Sequence, residues 1–107
     1  MKFDKLVRDK IPEIIHNQGK TCQVERVSTS LLKTYLADKL MEESQEFKED
    51  PCLEELADIY EVLLTNLRVH GFSYGQLVAA AAKKATARGK FEKRLVLKEV
   101  SSATNKE

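Results

Sequence analysis

Residues 42–58 read EESQEFKEDPCLEELAD, and this segment decides the fold that the sequence predicts. Two acidic runs mixed with apolar residues flank the pair Asp50 and Pro51. Aspartate is a preferred N-cap of helices, and proline suits the first helical position. The segment therefore predicts that one long helix, capped near residues 28–30, ends at about Lys48. A second helix then runs to about His70.

The first of these helices carries glutamates on its apolar side. At about 100° per residue, Glu43 projects into the middle of an apolar stripe, Glu46 lies at its edge, and Glu42 sits further round. The stripe consists of Leu32, Leu36, Leu40 and Phe47. Burying a lone carboxylate is costly unless it is paired, hydrogen-bonded or bound to metal. Glu43 and Glu46 are therefore site candidates, whereas Glu42 is expected to be a supporting or solvated group.

The second helix has a matching acid pair. It is apolar nearly all round, which indicates burial on both sides. Glu55 and Asp58 share one apolar face with Ile59, Val62 and Val69. Residues three apart are neighbours on a helix surface, so each helix offers two adjacent carboxylates. The connection is short enough to force side-by-side antiparallel packing, which can bring both pairs together.

Four carboxylates in one pocket predict a divalent metal site. They repel one another and cannot all ionise without compensation. Oxygen ligands select Mg²⁺, Mn²⁺ or Ca²⁺ over zinc, and Mg²⁺ typically takes one or two carboxylates together with substrate phosphates. We therefore expect Mg²⁺, with Mn²⁺ as an alternative, in a site for phosphoryl chemistry. The competing interpretation is a solvated face whose acids pair with Lys33, Lys39 or Lys48.

The rest of the chain predicts a mainly α fold. Pro12 suits the first turn of a short helix that ends near Gly19, and Ser73 with Gln76 forms a capping box for a third main helix ending near Gly89. Weak alternation over residues 21–27 and 94–100 could give a small two-stranded β element. The prediction is a bundle of about three main helices plus a short N-terminal helix. Residues 1–100 form one domain, and residues 101–107 form a flexible tail.

Composition narrows the class of protein. The 107 residues are 42% hydrophobic and 33% charged, with a formal net charge of +1. This balance does not favour binding to nucleic acid or to an anionic membrane. No apolar run approaches the roughly 18 residues of a membrane span, and the amino terminus does not resemble a signal peptide. Cys22 and Cys52 are interpreted as free thiols, and we expect a cytoplasmic protein.

The acidic segment also resembles a known family. Residues 42–46 and 55–58 are similar to the E-E-x-x-E … E-x-x-D signature of the all-α NTP pyrophosphohydrolases, a superfamily that includes MazG and the phosphoribosyl-ATP pyrophosphohydrolases. Residues 5–12, KLVRDKIP, and 88–94, RGKFEKR, resemble the flanking motifs of its compact, phosphoribosyl-ATP-pyrophosphohydrolase-like "house-cleaning" branch. The resemblance covers about residues 3–100.

The resemblance implies a reaction and a set of ligands. It implies Mg²⁺-dependent hydrolysis between the α and β phosphates of a nucleotide, which yields a monophosphate and pyrophosphate. Matching positions make Glu43, Glu46, Glu55 and Asp58 the metal ligands. Glu43 and Glu46 are the catalytic candidates, and either Glu46 or Glu42 orients the attacking water. The family also implies a homodimer or homotetramer. The preferred base and sugar stay open.

Basic residues are candidates for holding the phosphates. Lys84 and Arg88, spaced i, i+4 on the third main helix, match a K-x-x-x-R feature of the family. Arg8, Lys10 and Lys93 are further candidates, since a triphosphate needs cations besides the metal. The alternative for Lys84 and Arg88 is a solvated basic helix end that complements the helix dipole.

Two other functions compete with the hydrolase. A non-catalytic helical module would bind a nucleotide or a partner protein without turnover. Nucleic-acid binding through residues 83–94 is less favoured, because the total charge is balanced and no aromatic residues are interleaved with the basic ones.

Overall fold

The computed structural model describes residues 4–102, and this range contains four helices. They are α1 (Ile11–Asn17), α2 (Thr29–Glu49), α3 (Leu53–His70) and α4 (Tyr74–Arg88). The chain divides into two compact units, the first ending at Tyr74 and the second beginning at Gly75. The predicted mainly α fold, with three main helices and a short N-terminal one, is confirmed. None of the described helices has the length and apolar character of a membrane span.

Local signals set the ends of α2 and α3. Ser28 is the N-cap of α2, and its hydroxyl oxygen accepts a hydrogen bond of 3.2 Å from the backbone N–H of Leu31. This bond satisfies one of the donors that the first helical turn leaves open. α3 ends at His70, and its C-cap Gly71 adopts the left-handed conformation with φ of 79°. Glycine adopts this conformation without steric cost, which makes it a favoured stop signal.

The predicted start of α3 is wrong by two residues. α2 continues to Glu49, and Asp50 is its C-cap, with its backbone N–H donating to the Glu46 carbonyl at 2.9 Å. α3 begins only at Leu53, and its N-cap residue Cys52 makes no side-chain capping bond. Asp50 therefore completes α2 and does not cap α3. Pro51, which has no N–H to donate, lies in the loop between them.

The core of the first unit lies between α2 and α3. Leu36 on α2 is 1% exposed and Val62 on α3 is 9% exposed, and these are the buried hydrophobic residues of the described range. Glu43 is 4% exposed, as its place in the apolar stripe predicted. The carboxylate thus lies in the only well-buried layer that the described chain builds.

The two segments considered for a β element do not form strands within residues 4–102. Their apolar side chains are largely exposed, including Val24 at 60%, Leu95 at 84% and Leu97 at 80%. A strand pair needs a covered apolar face to be stable in water, and these side chains are not covered. Of the predicted flexible tail, residues 101–102 are exposed coil and residues 103–107 lie outside the described residues.

Candidate metal centre

Carboxylates from α2 and α3 meet in two overlapping triads. In each triad, one carboxylate oxygen from every member lies within 4.8 Å of the others. The first triad is Glu42, Glu43 and Glu46, and the second is Glu43, Glu55 and Asp58. We call these five residues the acidic cluster. All four predicted ligands are in it, and so is Glu42, which the sequence placed further from the site.

The register of the helix pair explains this convergence. Glu43 and Asp58 lie at similar distances from the 50–52 loop, about 10 Å along each helix axis at the usual helical rise. Glu46 and Glu55 lie one turn closer to the loop. Because the helices run antiparallel, each i, i+3 pair faces the other, and the buried Glu43 belongs to both triads.

Two lysines contact the α2 side of the cluster. Lys39 lies 3.1 Å from a Glu42 carboxylate oxygen and 3.5 Å from one of Glu43. Lys5 approaches the same Glu42 oxygen at 3.5 Å. One part of the competing interpretation, the pairing of the α2 acids with Lys39, is therefore present in the structure. Its side chain is only 17% exposed, however, so this pair belongs to the packed side of the helix and not to a solvated face.

Arg8 contacts the α3 side of the cluster. Its guanidinium nitrogen Nη2 donates to Asp58 Oδ1 at 2.7 Å. With Lys5 and Lys39, it gives three described cations paired with acidic-cluster carboxylates. Five ionised carboxylates against three cations leave two negative charges uncompensated. The two positive charges of one divalent cation would balance them.

The pKa values show where the charge is unfavourable. Burial raises the pKa of Glu43, and the nearby charges of Glu46 and Asp58 raise it further, while Lys39 acts against them. Desolvation, the Glu46 charge and a hydrogen bond with Asp58 raise the pKa of Glu55. A bound cation would relieve this strain, because it favours the ionised form of its ligands.

Glu42 is in the opposite state. Burial acts to raise its pKa, but the hydrogen bond and charge of Lys39, together with Lys5, lower it below the usual value. Glu42 is therefore already compensated by the chain's own cations. Glu43 and Glu55 are the carboxylates whose charge an added cation would stabilise most.

The donor set fits a hard divalent cation. All donors of the triads are carboxylate oxygens carried by two packed helices, and neither triad includes a histidine or cysteine. Oxygen-only sets of this kind suit Mg²⁺, Mn²⁺ or Ca²⁺.

Four members of the acidic cluster, all except Glu55, line a cleft of about 620 Å³. Its walls are residues 5–9 and 11 together with α2 and α3. Glu61, Thr65 and Arg68 continue the wall along α3 beyond Asp58. Arg68 was missed as a site candidate, although positions 58, 61, 65 and 68 form a regular i, i+3/i+4 series that places it on the face of Asp58.

The predicted phosphate-binding residues are divided between the two units. Arg8 lines the cleft, whereas Lys10 is exposed at the N-cap of α1 and does not line it. Lys84 and Arg88 lie on α4 and Lys93 follows it, all exposed and all in the second unit. Their part in binding a substrate stays a prediction.

Replacing Glu43 with glutamine is expected to raise the melting temperature of the metal-free protein at pH 7. The pKa of Glu43 is higher in the folded protein than in the unfolded chain, where it is about 4.5. The contribution of Glu43 to the free energy of unfolding therefore falls as the pH rises above about 4.5. The neutral amide removes this penalty. Below about pH 4 the carboxyl is protonated in both states, so the difference should vanish.

Calorimetric melting in EDTA at both pH values measures this effect. Glu25→Gln, at an exposed coil position, serves as the control and should change stability by less than about 0.5 kcal/mol. A melting temperature of Glu43→Gln that falls at pH 7 would contradict the assignment of Glu43 as an unfavourably charged group.

Comparison of the chain with known protein families, with curated proteins and with solved structures finds no match. The resemblance to the all-α NTP pyrophosphohydrolases therefore rests on the motifs of residues 5–12, 42–58 and 88–94.

Proposed function

We propose that the protein is a Mg²⁺-dependent pyrophosphohydrolase that acts on a nucleoside triphosphate or a related nucleotide. Its products would be a nucleoside monophosphate and pyrophosphate, and its role would be the removal of non-standard nucleotides. The observation that carries the proposal is the convergence of carboxylates from two helices on the buried Glu43, at the wall of an open cleft. The reaction class comes from the motif resemblance.

Glu43, Glu46, Glu55 and Asp58 would hold the metal. Mg²⁺ in this position would neutralise charge on the phosphates and on the transition state. The helices supply the ligands on packed backbones, so little reorganisation is needed when the metal binds. The cleft leaves space on one side for substrate phosphates, which Mg²⁺ commonly binds together with carboxylates.

Glu46 is the better candidate than Glu42 for orienting the attacking water. Glu42 is engaged by Lys39 and Lys5, and its lowered pKa makes it a weak proton acceptor. Glu46 is half-buried and makes no ion pair with another residue of the described range. Its carboxylate is therefore available to accept a hydrogen bond from water beside Glu43.

Cations of the cleft would position the phosphates. Arg8, Lys39 and Arg68 line it together with the acids, and arginine binds phosphate oxygens in a bidentate manner. Lys10, Lys84, Arg88 and Lys93 remain candidates from the motif resemblance.

We also propose that the protein is a homodimer or homotetramer. The support is an apolar surface on α3, formed by Leu53, Leu56, Tyr60 and Leu63 beside Ala57 and Ile59. Leu53 is 76% exposed, Leu56 46% and Tyr60 49%. A second copy of α3 would cover this surface and enlarge a core that a chain of this length builds only modestly.

Pyrophosphate release from a panel of canonical and modified nucleoside triphosphates tests the hydrolase directly. We expect at least one nucleotide to release pyrophosphate in the presence of Mg²⁺, and none to do so in EDTA. Nucleotide binding without turnover across the panel would support the non-catalytic module in its place. Release that is unchanged in EDTA would contradict the metal site.

A further inference from the structure

Arg8 makes the shortest ion pair of the described chain. Its guanidinium lies 2.7 Å from Asp58 Oδ1, across 50 positions of sequence. Arg8 belongs to the coil before α1, whereas Asp58 is held on α3. The pair therefore joins the coil to α3 at a cleft that both of them line, together with Glu42, Glu43 and Glu46 of the acidic cluster.

The same carboxylate is one that a metal would use. Asp58 belongs to the triad with Glu43 and Glu55, so a cation bound by all three must share Asp58 with the guanidinium or replace it. Two positive charges on one carboxylate repel each other, and the weaker contact is the one that gives way. The Arg8 side chain has more room to move than that of Asp58, because it is 56% exposed against 37% and lies in coil, whereas Asp58 is held on α3.

Lys39 provides the contrast within the same cluster. It is 17% exposed, it lies on α2, and it contacts both Glu42 and Glu43. Its position is thus set by the helix that also carries its partners. Metal binding can displace Arg8 without disturbing α2 or α3, but it could displace Lys39 only by moving a packed side chain.

We propose that Arg8 is a charge-exchange residue. Without metal, the Arg8 guanidinium compensates the charge of the Asp58 carboxylate. When a divalent cation binds, the Asp58 carboxylate would pair with the cation in place of Arg8. The released guanidinium would then bind the phosphates of the nucleotide. The nucleotide half of this inference rests on the proposed function, whereas the metal half depends only on the acidic cluster. Arg8 acts here as a positioning residue, since its guanidinium binds and orients phosphate and transfers no proton.

Calorimetric titration of the full chain with Mg²⁺ and Mn²⁺ tests the metal half. Arg8→Ala should tighten binding about two- to fivefold, the amount by which a partly exposed ion pair opposes the cation. Lys5→Ala is the matched control, because it removes the same charge from the same coil but leaves Asp58 paired. An unchanged affinity in Arg8→Ala, or an equal gain in Lys5→Ala, would overturn the exchange.

The ¹⁵N resonance of Arg8 Nη2, the nitrogen that donates to Asp58 Oδ1, reports the release itself. Asp58→Ala removes the acceptor of this ion pair, and in metal-free buffer it gives the position of the resonance for a released Arg8. In the unaltered protein, saturating Mg²⁺ should move the resonance toward that position. A resonance that stays in place while the calorimeter shows saturation would overturn the proposal.

The nucleotide half predicts an effect of opposite sign. Arg8→Ala should raise KM about tenfold, as expected when a charged hydrogen bond to phosphate is lost, although it binds metal more tightly. Arg8→Lys should have a KM between those of Arg8→Ala and the unaltered protein, because lysine keeps the charge but cannot bind phosphate bidentately. An unchanged KM would overturn this half.

The two proposals fail separately. If no nucleotide is turned over but Arg8→Ala tightens metal binding and Mg²⁺ shifts the Arg8 resonance, the hydrolase is wrong and the exchange at Asp58 stands. If pyrophosphate is released but metal affinity does not respond to Arg8→Ala, the exchange is wrong and the hydrolase stands.

Discussion

Glu55→Gln is expected to lower kcat/KM for metal-dependent pyrophosphate release by about 10²–10³-fold. Glu55 contributes an oxygen to the triad with Glu43 and Asp58, and desolvation together with the neighbouring carboxylates already raises its pKa. Glutamine has the same shape but no charge, so it removes one of the negative ligands that a divalent cation needs. Losing about 3–4 kcal/mol of electrostatic stabilisation corresponds to this decrease in rate.

Glu54→Gln is the matched control. Glu54 precedes Glu55 on the first turn of α3, is exposed and belongs to neither triad. Both variants lose one negative charge near the same helix terminus, so their difference isolates the position of the carboxylate. Steady-state kinetics with a Mg²⁺ titration measures it. A similar loss of activity in both variants, or full activity in Glu55→Gln, would remove Glu55 from the site.

The melting temperature separates loss of metal from loss of fold. In EDTA, Glu55→Gln should be no less stable than the unaltered protein, because the substitution removes a charge that desolvation and the carboxylates of Glu46 and Asp58 disfavour. With Mg²⁺ added, the unaltered protein should gain stability and the variant should gain much less. A variant that is unfolded in EDTA would make the kinetic loss uninformative about metal binding, so both measurements belong together.

Local sequence signals predicted the four helices and the two acid pairs, although they placed the start of α3 two residues too early. Ser28 and Gly71 set helix ends through bonds and backbone conformations confined to a few residues. The burial of Glu43 followed from its position in an apolar stripe, since helical period fixes which side chains share a face. Glu42 was placed further round by the same rule, but in the structure it contacts Lys39 and Lys5 and lies in the triad with Glu43 and Glu46.

Local sequence signals did not predict the contacts between residues far apart in the chain. The pairing of Arg8 with Asp58 joins a coil to a helix 50 positions away, and no periodicity of either segment encodes it. Residues 94–100 alternate in the manner of a strand, yet Leu95 and Leu97 are exposed in coil, because alternation predicts a strand only where a partner covers one face. At Asp50 two local signals competed, and completing α2 took precedence over capping α3.

Leu56→Glu is expected to weaken self-association by at least about 100-fold. In an isolated chain Leu56 is 46% exposed, so a polar replacement there should change stability by less than about 0.5 kcal/mol. If a second copy covers the apolar surface of α3, the substitution acts in both chains. Each then loses the burial of a leucine and places a carboxylate against apolar side chains, and a total of about 3 kcal/mol or more corresponds to this shift in Kd.

Sedimentation across a range of protein concentrations measures this shift, and Val24→Glu is the control. Val24 is an apolar side chain of the coil that is 60% exposed and does not line the α3 surface, so its replacement should leave association unchanged. Association that Leu56→Glu does not weaken would place the interface elsewhere, and an unaltered protein that stays monomeric would contradict the oligomer itself.

Because all five carboxylates of the acidic cluster come from one chain, a monomeric Leu56→Glu should still bind Mg²⁺. Metal affinity lost together with association would show instead that the second copy completes the site.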